Sequence, residues 1–270
     1  MRGGAPGRHR ARAPAGPGGG AAGRRRGGDG ASAVGPGTQV HPGVVGLRTG
    51  SAAYPGAAVL SAAGANCGLV GMVRYVGTAA DAVRLAHPEV VGAGRVQAWV
   101  TGSGGGPEAD DALDLCLGDR VPIVVDADAL RQLRGPLTVP AVLTPHAGEL
   151  AELLGVDRAD VEESGLRFVR DAAQRFAAVV LLKGRHTLVA DPAGQVRVNT
   201  TGVPWLATAG AGDVLAGLVG ALLAGGLDPF DAAAVGAWLH GAAATMAARG
   251  RPLTAGAVAE ALPGVIRALR

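Results

Sequence analysis

The chain has 270 residues, 48% of them apolar, 17% charged and only 3% aromatic. That apolar content excludes a protein disordered throughout, and at this length a full core can be buried, built here from Ala, Val and Leu. The net charge of +3 and an isoelectric point near 9.4 taken alone point to a polyanionic partner.

The charge is unevenly placed. Residues 1–40 hold seven arginines (Arg2, Arg8, Arg10, Arg12, Arg24, Arg25, Arg26) and one acid, Asp29. Removing these from the 25 basic and 22 acidic groups leaves 18 and 21 for residues 41–270, a net of −3. The first 40 residues also carry 13 Gly and 4 Pro, too few large apolar groups to offset the entropy of ordering. They are expected to form a disordered leader before a single domain over 41–270. The leader lacks the apolar stretch of a secretory signal. Only one lysine occurs, Lys183; in so arginine-rich a chain it is a candidate for a role arginine cannot fill.

From Val44 onward, short β-rich runs alternate with helical patterns. The predicted strands are Val44–Leu47, Val70–Tyr75, Val96–Thr101, Pro122–Asp126, Ala141–Thr144 and Ala178–Lys183. Thr187–Ala190 and Gln195–Asn199 flank Asp-Pro-Ala-Gly and read as a hairpin. Helices are predicted over 55–66, 107–118, 147–155, 159–176, 211–225, 229–249 and 254–268. In the 159–176 segment, Leu166, Val169, Ala173 and Phe176 share one face. Continuously apolar strands such as Val179–Leu182 imply a sheet covered on both sides. The alternation predicts an α/β fold, a doubly wound and mostly parallel sheet flanked by helices. Cys67 and Cys116 lack metal or redox spacing and are expected as core residues of a reduced, cytoplasmic protein. The apolar run Val214–Leu227 is too short to span a membrane.

In such a sheet ligands bind beyond the carboxyl ends of the strands. The run Ala207-Thr-Ala-Gly-Ala-Gly-Asp213 feeds small residues directly into an apolar helix. Gly210, Ala211 and Gly212 let backbone N–H groups approach an anion at a helix N-terminus. Asp213 in the first turn suits a base toward a hydroxyl in phosphoryl transfer; the competing reading is a helix cap with glycines for close packing. Thr144-Pro-His-Ala-Gly-Glu149 offers His146 and Glu149 to the crevice, or a surface histidine and a dipole-complementing acid. Lys183-Gly184-Arg185-His186-Thr187 ends a buried strand with a cation suited to a nucleotide phosphate, or with a solvated lysine. Gly102-Ser-Gly-Gly-Gly106 offers a second phosphate cradle. Asp126 and Asp128 are candidate Mg²⁺ ligands, with Asp128 alternatively a helix N-cap. No Walker A, GxGxxG or GxSxG element occurs.

These residues resemble a known family. VLTPHAGELAELLG, VVLLKGRHTLVA, NTTGVPWLATAGAGDVLAGLVGALLAGGLDP, AVGAWLHGAAA, YPGAAVLSAAGANCGLVGMVRYVG and PIVVDADAL, together spanning roughly 41–270, are similar to the ADP-dependent (S)-NAD(P)H-hydrate dehydratases of the ribokinase-like superfamily. The resemblance implies repair of hydrated NADH and NADPH, with ADP as co-substrate, Mg²⁺ as cofactor, and release of AMP and phosphate. It implies Asp213 as base, Gly210, Ala211 and Gly212 as an anion hole, and nucleotide contacts from Lys183 to Thr187 and Gly212. Ala57, Gly106, His146 and Asp213 would line the hydrate pocket, with Glu149 a further metal candidate. A homo-oligomer, a separate epimerase, and no nucleic-acid or membrane partner are expected. Two departures stand out. Ala211 replaces a small polar residue, and Ser103 replaces proline in the 102–106 loop, which is therefore expected to be looser. The runner-up is a kinase of the same fold acting on a thiazole or pyrimidine alcohol. A third reading is a non-catalytic nucleotide-binding protein.

Overall fold

A computed structural model describes residues 43–106 and 109–269, together with Met1, Gly3 and Gly4. The remainder of the leader expected over 1–40 lies outside the described residues. Eight strands form one sheet: β1 (Val44–Arg48), β2 (Met72–Tyr75), β3 (Ala98–Thr101), β4 (Ile123–Val125), β5 (Ala141–Leu143), β6 (Val179–Leu182), β7 (Thr187–Ala190) and β8 (Val196–Asn199). Their order is β2-β1-β3-β4-β5-β6-β7-β8. Strands β1 to β6 pair in parallel, while β7 and β8 run antiparallel at one edge. The chain steps from β1 to β2 on one side and then to β3 on the other. The carboxyl ends of β1 and β3 thus flank the switch point, where α/β sheets open a crevice.

The helices are α1 (Pro55–Ala65), α2 (Ala80–Ala86), α3 (Ala109–Gly118), α4 (Ala147–Leu154), α5 (Arg158–Glu163), α6 (Gly165–Phe176), α7 (Ala211–Ala224), α8 (Pro229–Ala248) and α9 (Ala255–Arg267). One core lies on the sheet face bearing α1, α7, α8 and α9, the other on the face bearing α3, α4 and α6. Strands β3 to β6 are buried along their whole length, as their unbroken apolar runs require. Cys67 and Cys116 are free and buried. The Asp191–Gly194 turn joins β7 to β8: Gln195 N–H donates to Asp191 Oδ1 at 2.8 Å.

Three sequence expectations change. The 159–176 segment is two helices, because Ser164 takes a non-helical conformation. The buried arc of α6 comprises Phe168, Val169, Ala172, Ala173 and Phe176. Leu166 lies a quarter turn from its centre and is 46% exposed. Helix α2 has only Val83 buried, so no apolar periodicity announces it. A 3-10 turn over Ala127–Gln132, also unforeseen, follows β4 with Asp126 rather than Asp128 as its N-cap.

Helix α7 is apolar all round and buried from Val214 to Ala224, the mark of a central helix. Its approach to α1 is set by glycine. A Cβ on Gly217 would sit 2.0 Å from Ser61 O, and one on Gly64 2.1 Å from Val214 O. The two helix backbones therefore touch, which fixes how far α7 reaches into the crevice. Alanine favours a helix over glycine by about 1 kcal/mol, but overpacking against backbone costs about 1–3 kcal/mol and here has no flexible side chain to relax into. Gly217→Ala is expected to lower unfolding stability by about 2 kcal/mol in urea titration; an equal or more stable variant would contradict this packing.

Candidate active site

Four successive strands end in residues that meet. Ser103 lies two residues past β3, Asp126 follows β4, Thr144 follows β5 and Lys183 follows β6. Asp126 is 2% exposed. Its Oδ1 accepts from Lys183 Nζ at 2.8 Å and from Thr144 Oγ1 at 2.7 Å, and its Oδ2 accepts from Ser103 Oγ at 2.9 Å. Lys183 N–H donates to Pro145 O at 2.8 Å, and Lys183 pairs with His146 in an isolated parallel bridge. Its ammonium also lies 3.6 Å from Glu149 Oε2. Burial works against the Lys183 charge. The carboxylates of Asp126, Glu149 and Asp213 outweigh it and hold the ammonium above the usual lysine range.

The start of α7 closes the site. Gly210 is its left-handed N-cap, with φ +86°, and no side chain caps the helix. Ala211 N–H donates to Thr208 O at 3.3 Å; the amides of Gly212 and Asp213 have no intrahelical acceptor by helix geometry, and the helix dipole there favours an anion. A Cβ on Gly212 would lie 3.5 Å from Lys183 Nζ and 3.9 Å from Asp126 Oδ2, so the helix start abuts the ion pair. Asp213 stands in the first turn. Burial and the nearby Asp126 charge push its pKa up to about 6, opposed by a hydrogen bond from Ser103 and the charge of Lys183. A carboxylate poised near neutrality beside an anion-binding hollow suits proton abstraction.

The remaining predicted residues divide. Asp128 accepts from Gly106 N–H at 2.9 Å and so holds the 102–106 loop. A Cβ on Gly104 would meet the Ala57 Cβ at 2.6 Å; that loop therefore rests on Ala57. His146 is the N-cap of α4. Its N–H donates to Glu149 Oε2 at 2.7 Å while its Nδ1 accepts from Glu149 N–H at 3.0 Å, a capping box. Its side chain is 58% exposed at the crevice mouth. Gly184, Arg185 and His186 form the exposed β6–β7 turn, with half-buried Thr187 opening β7. Asp213 is therefore not a cap, and Lys183 is not a solvated strand end.

The metal candidates Asp126, Asp128 and Glu149 are all engaged by protein donors. Lys183, Thr144 and Ser103 take both oxygens of Asp126, Gly106 and Arg131 engage Asp128, and His146 N–H and Lys183 engage Glu149. Among the described residues no group of three His, Cys, Asp or Glu is placed to hold a metal ion. The 102–106 loop is not loose. Ser103 is fully buried and its carbonyl accepts from Gly50 N–H at 2.6 Å. Sequence reasoning also missed His240 on α8, which is buried against the Ala211 backbone, its pKa pushed down to about 4 by burial. It is thus neutral behind the start of α7. Its place in an otherwise apolar helix was the available signal.

Removing one partner of a buried ion pair leaves an uncompensated charge, at a cost of about 3–5 kcal/mol. Lys183→Met is therefore expected to destabilise the fold by about 3 kcal/mol, and adding Asp126→Leu to recover most of that loss. A double variant no more stable than Lys183→Met in thermal unfolding would contradict the pairing.

Comparison with known proteins agrees with this geometry. A model of the family described as NAD(P)H-hydrate dehydratase matches residues 45–263. The chain is 45% identical over 220 residues to the bifunctional NAD(P)H-hydrate repair enzyme Nnr of Mycobacterium leprae, covering 76% of this chain and 46% of that protein. It thus spans less than half the length of that relative. It is 38% identical over 253 residues to the ADP-dependent (S)-NAD(P)H-hydrate dehydratase of Neisseria meningitidis, covering 84% and 85%. Among solved structures it is similar to the ADP/ATP-dependent NAD(P)H-hydrate dehydratase of Bacillus subtilis co-crystallised with ATP/Mg²⁺. The TM-score is 0.79 at 27% identity, covering 84% of this chain and 90% of that one. The hydroxyethylthiazole kinase of Pyrococcus horikoshii, at 21% identity and TM-score 0.58, shares the ribokinase-like fold. With four strand ends joined around Asp126 and the family's pattern running from β1 into α9, the chain belongs to the NAD(P)H-hydrate dehydratase family.

Proposed function

We propose that the chain catalyses the ADP-dependent dehydration of the S epimer of hydrated NADH and NADPH, with release of AMP and phosphate. The observation that carries this reading is Asp213, a base with a pKa of about 6 set beside the uncapped start of α7 and the Lys183 ammonium. Asp213 would take the proton of the hydrate hydroxyl as its oxygen attacks the β-phosphorus of ADP and the bond to AMP breaks. The phosphorylated oxygen then leaves the nicotinamide ring as phosphate while the adjacent ring carbon gives up a proton to solvent, and the new double bond restores the reduced ring. Backbone N–H groups of Gly210, Ala211 and Gly212 would carry the transferred charge, Ala211 by exchanging its long bond to Thr208 O for the anion. Because these are backbone donors, Ala211 costs the hole no more than a hydroxyl.

The Lys183 ammonium would face the nucleotide phosphates, with Gly184 to Thr187 and Gly212 along the nucleotide. Ala57, Gly106 and His146 would line the hydrate pocket. Because the acids near Asp126 are engaged by protein donors, Mg²⁺ would be held by the nucleotide phosphates rather than by a protein-built centre. The body over 41–270 would act as a homo-oligomer in the cytoplasm, with a separate epimerase supplying the S form. Free buried cysteines fit a reducing compartment, and among the described residues no helix is long and apolar enough to cross a membrane.

The test supplies hydrated NADH, ADP and Mg²⁺ and follows the absorbance of the reduced nicotinamide. Recovery supports the reading; no recovery, with ATP-driven phosphorylation of a hydroxyethylthiazole alcohol, contradicts it. Positioned bases contribute about 10²–10⁴-fold. Asp213→Asn is therefore expected to lower kcat about 10³-fold while the ADP dissociation constant stays within about 3-fold. Wild-type turnover in that variant would remove Asp213 from the role of base.

A further inference from the structure

A cavity apart from the strand-end constellation lies on the sheet face that bears α3, α4 and α6. It has a volume of about 280 Å³ and opens between the Ala127–Gln132 turn, α4 and the end of α6. Lys183, Asp213, Gly212 and His146 do not line it. Its apolar part is formed by Leu130, Leu133 and Leu153, the first two buried in the core of that face. Its cationic part is formed by Arg131, Arg134 and Arg175. Ala127 turns the chain from β4 into this wall at φ +46°, an uncommon state for a residue with a Cβ and one that recurs at ligand sites.

Two acids also line the cavity, Glu149 and Glu152, but they do not cancel the arginines. Glu149 is engaged on the active-site side: its Oε2 accepts from His146 N–H at 2.7 Å and lies 3.6 Å from Lys183 Nζ. Glu152 accepts from Arg131 Nε at 3.1 Å. Arg134 donates to the carbonyls of Arg131 and Leu133, and Arg175 lies over the Phe176 ring, 5.3 Å from its centroid. Among the described residues neither Arg134 nor Arg175 is ion-paired with a carboxylate.

Two guanidinium groups without carboxylates, beside an apolar floor, suit a ligand with a compact anionic head and a short carbon body. A phosphomonoester head carries about two negative charges at neutral pH and three acceptor oxygens, which matches two arginines better than a single carboxylate does. Size limits the body. At about 30 Å³ per water the cavity holds roughly nine waters, more than a bare phosphate displaces and far less than a dinucleotide needs. We propose that this cavity binds a small phosphomonoester, its phosphate facing Arg134 and Arg175 and its carbon body against Leu130, Leu133 and Leu153.

Isothermal titration calorimetry of the full chain with propyl phosphate tests this, in saturating ADP so that the Lys183 end of the crevice is filled. A dissociation constant of about 1 mM or below is expected. Inorganic phosphate, which lacks the apolar body, should bind about tenfold more weakly, and butyrate, with one charge, should also bind more weakly than propyl phosphate. Arg134→Gln and Arg175→Gln should each weaken propyl phosphate binding about tenfold. Both residues are exposed, so the thermal midpoint and the ADP dissociation constant should stay at wild-type values. Arg131 is left intact because it also faces Asp128, which holds the 102–106 loop. The arginine dependence reads this site whether or not the reaction proposed above is correct. No binding of propyl phosphate, unchanged binding in the double arginine variant, or phosphate or butyrate bound as tightly as propyl phosphate would overturn the proposal.

Discussion

A buried carboxylate and ammonium 2.8 Å apart, on strand ends separated by a third strand, govern the arrangement of this site. Asp126 and Lys183 are each costly to bury alone. Their mutual charge is repaid only when every lone pair finds a donor, and the neighbouring strand ends supply Thr144 and Ser103. Each donor emerges within two residues of its strand. The parallel register of β3 to β6 thus sets the spacing of the whole constellation.

The second constraint is the depth of α7. Backbone contact with α1 through Gly64 and Gly217 drives the helix start against the ion pair. Its uncapped amides and Asp213 then face the crevice at the switch point of the sheet. This closeness raises the Asp213 pKa, because burial and the Asp126 charge both oppose ionisation. It also keeps the Lys183 charge within range of an anion at the helix start. The packing of two glycine-bearing helices and the acidity of one side chain are parts of a single arrangement.

Much of the fold was legible because its signals are local. Unbroken apolar runs identified the buried strands, and Asp-Pro-Ala-Gly the hairpin. The lone lysine and the Gly-Ala-Gly-Asp run marked two of the segments that meet at Asp126. What escaped was set by distant partners. The pairing of Asp126 escaped because nothing near it in sequence names Lys183, 57 residues on. Ser103 read as loosening a glycine loop because its acceptor, Asp126, lies on another element. The cap that the His146 ring nitrogen gives α4 was not foreseen either. Helix α2 and the break at Ser164 escaped for a different reason. One buries too little to leave a pattern, and the other depends on a single non-helical residue.

The proposed reaction transfers phosphate to a hydroxyl and then expels it, rather than leaving a phosphorylated product. ³¹P NMR of the protein with ADP and hydrated NADH tests that directly. AMP and inorganic phosphate should appear in equal amounts, each matching the reduced nicotinamide formed. A phosphorylated nicotinamide product that persists without release of inorganic phosphate, or reduced nicotinamide formed without AMP, would contradict it.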